Sequence, residues 1–367
     1  MRPAPEHPPP LVSVSARRPE IDVLRFGAAL AVVLFHYSFW GHATNRNPVA
    51  YPELGRVFQY GYLGVELFFM ISGFVILQSA LHRSARQFVV ARIARLYPAF
   101  WVAATLTFLA TRLVPSALPR PSVLQYLANL TMGQQFLRVP PLDGVYWTLA
   151  YELKFYSLIV GISLLGWFRY LNLLLGAWLA VVLWFVCGQP VPVPAGWLFP
   201  EYAAFFMAGM LFFLVYQRGP RLEYGLLLLA CYGLAITTAL LELARADEYL
   251  SRPRSAVIVV AVVSSFFLIF GLLALGYTTG LRLRGATALG PLTYPLYLVH
   301  QQLGYLVFQL LGPWADRFLL LSSLVALMLG LAYGLHRWVE RLYARPFYRW
   351  LDQHLPGSAP PVKNPKA

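Results

Sequence analysis

The chain has 367 residues, of which 59% are hydrophobic and only 12% are charged, about half the charged share of a soluble domain. This composition excludes an ordinary soluble protein and predicts a polytopic membrane protein. The net charge of +14 is explained by Lys and Arg on cytoplasmic loops, so no nucleic-acid partner is expected. Cys187 and Cys231 both lie in apolar runs, which indicates neither a disulfide framework nor a metal site.

The first 20 residues are rich in proline and lack the apolar core of a signal peptide, so they predict a disordered cytoplasmic N-terminus. Beyond them, apolar runs predict an all-α fold with about ten transmembrane helices. The runs cover approximately 21–41, 60–80, 96–114, 145–165, 168–187, 198–216, 222–242, 256–276, 288–311 and 318–338. Residues 21–340 are therefore expected to form one membrane-embedded domain, followed by a basic, Pro-rich cytoplasmic tail over 341–367.

The distribution of Lys and Arg predicts the orientation. With both termini placed in the cytoplasm, the inner segments carry about twice as many Lys and Arg residues as the outer loops. This bias predicts that both termini are cytoplasmic and that the first span runs outward.

The first span, Ile21–His42, carries ionisable residues at both ends. Arg25 and His36 are eleven positions apart, so on a helix their side chains share one face and lie about 16 Å apart. Such a pair is typical of the two ends of a substrate channel. The alternative is that Asp22 and Arg25 mark the membrane boundary and His36 caps the outer end.

Counting from the outer ends of their spans places Glu66 and Glu152 at the same depth as His36. An imidazole beside one or two carboxylates is suited to general-base catalysis, since a carboxylate fixes the ring tautomer. His36 is therefore the candidate base, oriented by Glu152 or Glu66. The alternative is that the carboxylates pair structurally with Lys154 or with an outer-loop arginine.

Arginines are concentrated at the inner end of the third span. Arg92 and Arg95 are three positions apart and share a helix face. Together with Arg25 they are suited to gripping a phosphate, although anchoring to anionic lipid is an alternative.

Ser72 and Gly73 lie midway along the second span, where small residues allow either close helix packing or passage of a slender ligand. Ser72 is a weak nucleophile candidate because no G-x-S-x-G elbow surrounds it. In the ninth span, Tyr294 and His300 lie near the middle of the membrane. His300 is either a hydrogen-bonded core residue or a functional one.

Five strings occur in one order along the chain. They are Arg25-x10-His36, GVELFFMISGF around Ser72-Gly73, RIARLYP with Arg92 and Arg95, WTLAYE from Trp147 to Glu152, and YPLYLVH ending at His300. In this pattern the chain resembles, over about residues 20–340, the acyltransferase 3 family of bacterial membrane proteins, which O-acylate cell-surface carbohydrates.

The resemblance implies a multi-pass protein of the bacterial inner membrane that uses acyl-CoA, most often acetyl-CoA, as co-substrate and holds no permanently bound cofactor. The acceptor would be a carbohydrate or glycolipid, and polysaccharide-assembly proteins would be further partners besides membrane lipid. The resemblance also implies that His36 is essential and accompanied by Arg25, that Arg92 and Arg95 serve acyl-CoA, and that Glu152 belongs to a W-[ST]-L-x-x-E motif. Ser72 and Gly73 are further candidates for binding acyl-CoA.

Two mechanisms and a second function stay open at this point. The acceptor hydroxyl attacks the thioester directly, or the acyl group passes first to a protein residue. The alternative function is a transporter or flippase of a lipid-linked sugar or other solute, which would need no acyl-CoA and would tolerate loss of Arg92 and Arg95.

Overall fold

The computed structural model describes residues 18–355, except 191–192, 249, 251–252, 279–280, 282 and 284, and except the side chains of 193–195. Within this part the chain is helical and contains no strand, which confirms the all-α prediction. Three parts of the sequence predictions lie outside the described residues. They are the predicted disordered segment before Arg18, the end of the predicted tail after Leu355, and three of the arginines used to predict the orientation, Arg252, Arg282 and Arg284.

Fourteen α-helices follow one another along the described chain. They are α1 (Pro19–Phe35), α2 (Gly41–Ala43), α3 (Pro52–Phe58), α4 (Gly64–Leu81), α5 (Ala85–Leu113), α6 (Val123–Leu130), α7 (Trp147–Leu164), α8 (Leu171–Val186), α9 (Ala203–Arg218), α10 (Leu222–Asp247), α11 (Ala256–Ala274), α12 (Ala286–Leu311), α13 (Arg317–Gly334) and α14 (Arg341–His354). Each predicted span overlaps one of them. Seven helical segments of the described chain are long and apolar enough to cross a membrane by length and composition.

These features establish a multi-pass membrane protein, while the number of crossings and the side of the termini stay predictions. The core of the bundle is built by α1, which packs against α4 and α12, and by α4, which packs against α9. Because α1, α4 and α12 carry most of the predicted site residues, this packing brings those residues into one region.

The first helix changes its winding at His36, the candidate base. After Phe35 the chain continues as a π-helix over His36–Trp40, and the His36 side chain is buried. Single π-helical turns occur frequently at functional sites. The altered winding therefore marks His36 independently of its ionisable ring.

The contact between α4 and α9 depends on two glycines. A side chain on Gly73 would collide with the carbonyl oxygen of Phe206, and one on Gly209 would collide with the carbonyl oxygen of Met70. Gly73 is thus a packing residue that lets two backbones approach. Of the two roles that the sequence left open for Gly73, close helix packing fits this contact, and contact with a ligand stays a prediction.

The segment from Arg341 onward, which the sequence assigned to the tail, begins as a helix. Leu351 of α14 packs with Val90 and Ala94 of α5, and Arg86 forms an ion pair with Asp352. The helix α14 therefore covers the first half of α5, where Arg92 and Arg95 lie.

Candidate active site

Three cavities lie in series along the faces of α1 and α12. The arginine cavity, of about 930 Å³, is lined by Arg18, Arg25, Arg83, Arg92, Arg95, Arg345 and Arg349 together with Asp22, Gly290, Tyr294 and Glu340. The middle cavity, of about 90 Å³, includes Arg25, Ser72, Arg92, Arg95, Glu152, Tyr156, Tyr294 and Tyr297. The histidine cavity, of about 400 Å³, includes His36, Glu66, Trp147, Tyr202, Glu242, Arg254, Tyr297 and Gln301.

Neighbouring cavities share lining residues. Arg25, Arg92 and Tyr294 line both the arginine cavity and the middle cavity. Tyr297 lines both the middle cavity and the histidine cavity. The three cavities therefore adjoin one another in a row from the start of α1 to His36, and this row is called the path below. Arg25 lies near one end of it, in keeping with the helix face that Arg25 and His36 share.

The arginine cavity has a strong excess of positive charge, because its seven arginines face only two carboxylates, Asp22 and Glu340, among its described lining residues. Glu340 is itself paired with His336 at 2.7 Å. Two of the arginines, Arg345 and Arg349, come from α14, which the sequence had not connected to the site. Guanidinium groups bind phosphates with paired hydrogen bonds, so this cavity is suited to a polyphosphorylated ligand.

Arg92 is fixed at the junction of the arginine cavity and the middle cavity. Its Nη2 donates to Ser79 Oγ at 3.1 Å, and its guanidinium lies 5.4 Å from the centre of the Phe88 ring. Its buried Nε has no hydrogen-bond partner among the described residues. The contacts with Ser79 and Phe88 therefore hold the Arg92 side chain in place between the two cavities.

The middle cavity holds Glu152, which the depth estimate had placed beside His36. Ser72 Oγ donates to Glu152 Oε1 at 3.2 Å, and Glu152 lies close enough to Arg25 to interact electrostatically. Glu152 does not line the histidine cavity, whereas Trp147, the first residue of α7, does. Glu152 lies five residues farther along the helix, about 8 Å from Trp147 along its axis, and its depth in the membrane stays a prediction.

Two uncharged side chains of α12 hold His36. The ring Nδ1 lies 3.1 Å from Tyr305 Oη and 3.0 Å from Gln301 Nε2. Gln301 is 3% exposed and Tyr305 is completely buried. The hydrogen bonds described for His36 thus come from an amide and a phenol, and neither Glu152 nor Glu66 is among these partners, although Glu66 lines the same cavity.

A short turn fixes the position of Gln301. Gly144 approaches it so closely that a side chain on Gly144 would collide with the Gln301 amide. In the connection before α7, Asp143 accepts hydrogen bonds from the N–H groups of Val145 at 3.1 Å and Gln302 at 2.9 Å. Burial raises the pKa of the Asp143 carboxyl to about 7. The turn and α12 are therefore tied together directly beside His36.

The remaining predicted residues divide between cavity and core. Trp147 lines the histidine cavity, and Tyr294 lines the other two cavities. His300 is completely buried and lines none of the three cavities. Its Nδ1 contacts the carbonyl oxygen of Tyr297 at 2.8 Å, within its own helix. His300 therefore fits the core role that the sequence left open, 5.3 Å from the ring of His36.

The chain is similar to one protein family and to two known proteins. A family profile described as "Acyltransferase domain" matches residues 18–337. "Exopolysaccharide production protein ExoZ" of Rhizobium meliloti (strain 1021) is 29% identical over 269 residues, which cover 68% of this chain and 78% of that protein. "Nodulation protein 10" of Rhizobium leguminosarum bv. viciae is 31% identical over 166 residues, which cover 39% of this chain and 43% of that protein. No solved structure matches the chain.

Proposed function

The chain belongs to the acyltransferase 3 family, since the family profile matches residues 18–337, and we propose that it moves an acyl group from acyl-CoA to a carbohydrate hydroxyl in the bacterial inner membrane. The observation that carries the proposal is the path of three cavities from the clustered arginines to His36. The similarity to a protein named for exopolysaccharide production supports an exported or cell-envelope carbohydrate as the acceptor.

The donor enters through the arginine cavity in this proposal. The phosphates of CoA bind the guanidinium groups, and the slender pantetheine arm extends through the middle cavity past Ser72 and Glu152. The small volume of the middle cavity, about 90 Å³ against about 930 Å³ for the arginine cavity, favours an extended chain there. Acetyl-CoA is the first donor to test, as a co-substrate and not as a bound cofactor.

His36 is the general base of the proposed reaction. This role requires the tautomer of His36 in which Nδ1 carries the hydrogen, because the Nε2 of His36 is then free to accept a proton. In this tautomer Nδ1–H donates to Tyr305 Oη. It donates to Gln301 instead if the Gln301 amide is turned so that its Oε1 faces the ring. The acceptor oxygen loses its proton to His36 and attacks the thioester carbon. The carbon–sulfur bond breaks, and His36 returns the proton to the CoA sulfur.

Gln301 and Tyr305 take over the positioning role that the sequence had given to a carboxylate. Glu152 and Arg25 act elsewhere, along the path of the donor, where Glu152 balances the positive charge of the neighbouring arginines. In this division the charged groups lie at the middle cavity, and His36 has uncharged hydrogen-bond partners before the reaction.

The double substitution Arg92→Ala/Arg95→Ala is expected to raise the KM for acetyl-CoA by about 10- to 100-fold, because each substitution removes charge-assisted hydrogen bonds to a phosphate of CoA. Release of CoA by the purified protein in nanodiscs measures the change. The matched control is Arg169→Ala, which removes an exposed arginine outside the three cavities and leaves the KM unchanged. An unchanged KM for acetyl-CoA in the folded double variant would contradict binding of the donor in the arginine cavity. Failure of the wild type to bind acyl-CoA would favour the alternative function, transport.

The substitution Gln301→Leu is expected to lower kcat by about 10-fold, because the side chain keeps its bulk but loses the hydrogen bond that orients His36. The KM for acetyl-CoA stays the same, since Gln301 lines only the histidine cavity of the three. Steady-state kinetics separate the two quantities, with Gln353→Leu on the exposed face of α14 as control. A changed donor KM with an unchanged kcat would contradict the positioning role.

A further inference from the structure

The seven arginines of the arginine cavity fall into two groups. Arg25, Arg92 and Arg95 also line the middle cavity, and these three are called the junction arginines below. The other four line the arginine cavity but neither of the other two cavities, and they are Arg18, Arg83, Arg345 and Arg349. A ligand that extends from the arginine cavity into the middle cavity therefore meets arginines at two places along its length.

Two arginines of the second group, Arg345 and Arg349, belong to α14 and are called the α14 arginines below. They are four residues apart, so they share one face of the helix, and both are exposed. Neither guanidinium forms an ion pair or a hydrogen bond with the described residues. Their hydrogen-bond donors are therefore available to a ligand in the cavity.

The helix α14 is held against α5 by contacts outside the cavity. Arg86 forms an ion pair with Asp352 and donates to the carbonyl oxygen of Leu355 at 3.4 Å. The ring centre of Phe347 lies 5.7 Å from that of Trp101. None of these five residues lines the arginine cavity, so α14 presents its arginines there without using them to hold its own position.

Coenzyme A carries phosphate groups at two places. A pyrophosphate joins the pantetheine arm to the nucleotide, and a separate phosphomonoester is attached to the 3′ oxygen of the ribose. With the arm in the middle cavity, the pyrophosphate lies at the junction arginines, and the nucleotide with its 3′-phosphate lies in the arginine cavity. The volume of that cavity, about 930 Å³, is at the upper end of the usual range for ligand sites and gives room for a nucleotide.

The 3′-phosphate matches the α14 arginines in charge and position. A phosphomonoester carries about −1.5 to −2 charges at pH 7 and forms charge-assisted hydrogen bonds with clustered arginines. The carboxylate of Glu340, which lines the cavity beside α14, is paired with His336 at 2.7 Å and acts on Arg95, a junction arginine. It therefore leaves the α14 arginines to the ligand.

We propose that Arg345 and Arg349 bind the 3′-phosphate of the CoA donor and thereby select CoA thioesters over donors that lack this phosphate. The inference rests on the proposed function, which it extends by naming the residues that recognise the nucleotide end of the donor. The helix α14 begins at Arg341, beyond the residues 18–337 that the family profile matches, so membership of the family does not supply this role.

The experiment compares the binding of CoA and of 3′-dephospho-CoA, two probes that differ only in this phosphate. With the full chain in phosphatidylcholine nanodiscs, isothermal titration calorimetry gives the Kd of each probe and needs no acceptor. The wild type is expected to bind CoA about 10-fold more tightly, the effect of a pair of charge-assisted hydrogen bonds at an exposed site. Arg345→Ala/Arg349→Ala is expected to raise the Kd of CoA about 10-fold and to leave that of 3′-dephospho-CoA unchanged.

Three further variants make the result specific. Arg92→Ala/Arg95→Ala is expected to raise both Kd values and to keep their ratio, because it acts on the pyrophosphate. Arg86→Ala loosens α14 without removing a cavity residue and is expected to lower the preference for CoA about 3-fold, which gives a second test of the same role. Arg341→Ala is the matched control, because Arg341 is an exposed arginine of α14 that lines none of the three cavities, and both Kd values are expected to stay unchanged.

A phospholipid headgroup presents the same phosphate chemistry to the α14 arginines. Repeating the titrations in nanodiscs that also contain phosphatidylglycerol separates the two sources of phosphate. We expect the Arg345→Ala/Arg349→Ala protein to lose the preference for CoA in both kinds of nanodisc. If the α14 arginines bind lipid instead, this variant and the wild type bind CoA equally in phosphatidylcholine, and the inference is overturned.

The outcomes also separate this inference from the proposed function. Equal binding of CoA and 3′-dephospho-CoA by the wild type overturns the role of α14 and leaves CoA as the donor. An equal rise of both Kd values in Arg345→Ala/Arg349→Ala has the same meaning, because the α14 arginines then do not distinguish the 3′-phosphate. Failure of the wild type to bind either probe overturns the proposed function and this inference with it.

Discussion

Replacing His36 with alanine is expected to lower kcat for acyl transfer by about 10²- to 10⁴-fold, the usual contribution of a general base. The KM for acyl-CoA should stay nearly the same, because His36 lines only the histidine cavity and the arginines lie at the other end of the path. Release of CoA and formation of acylated acceptor by purified protein in nanodiscs measure both quantities. Added imidazole should restore part of the rate, because the truncated side chain leaves a gap beside Gln301 and Tyr305.

The control for this experiment is His82→Ala, which removes an exposed histidine and should change neither kcat nor KM. A variant of buried His300 serves a different purpose, because it tests the fold and not the reaction: the described hydrogen bonds of the His300 ring stay within α12. A folded His36→Ala protein with full turnover would contradict both the assignment of the base and the mechanism built on it.

The parts of the site that the sequence predicted share one physical signal. An ionisable group in a membrane span is costly, so Arg25, His36, Glu66 and Glu152 stand out against an apolar background. All four line the path of cavities. Helical periodicity was also sufficient to place Arg92 and Arg95 on the same two cavities, because both belong to one uninterrupted helix.

The parts that the sequence missed carry no such signal. Gln301 and Tyr305 are uncharged, so the high cost of an ionisable group in a span does not single them out. Tyr297, Gln301 and Tyr305 follow one another at intervals of four residues, which places all three on one face of α12, and this spacing was the available clue. The sequence also did not show which cavity Glu152 lines, since counting from the end of an apolar run takes no account of the turn at Gly144–Tyr146 that precedes α7.

Arg345 and Arg349 illustrate a third kind of omission. Their segment is basic and polar, so composition assigned it to a solvated tail. Only the packing of α14 on α5, through Leu351 and the ion pair between Arg86 and Asp352, brings these arginines to the cavity. Tertiary contacts between distant segments are not encoded in the local pattern of either one.

Replacing Gly73 with leucine is expected to prevent formation of the folded protein, because the side chain would collide with the backbone of α9 at Phe206. Overpacking a well-packed interior typically costs about 1 to 3 kcal/mol, and the cost is larger here because a backbone carbonyl, and not a flexible side chain, occupies the space. Gly209→Leu meets the backbone of α4 at Met70 and should have the same effect.

The measurement is the yield of monodisperse protein and its thermal unfolding in detergent. The matched control is Gly161→Leu in α7, where nothing lies within 4 Å of an added side-chain carbon, and this variant should fold like the wild type. The result also tests the ligand role that the sequence left open for Gly73. A well-folded Gly73→Leu protein with a raised KM for acetyl-CoA would return Gly73 to the donor path, whereas loss of folding with both glycine variants assigns it to the contact between α4 and α9.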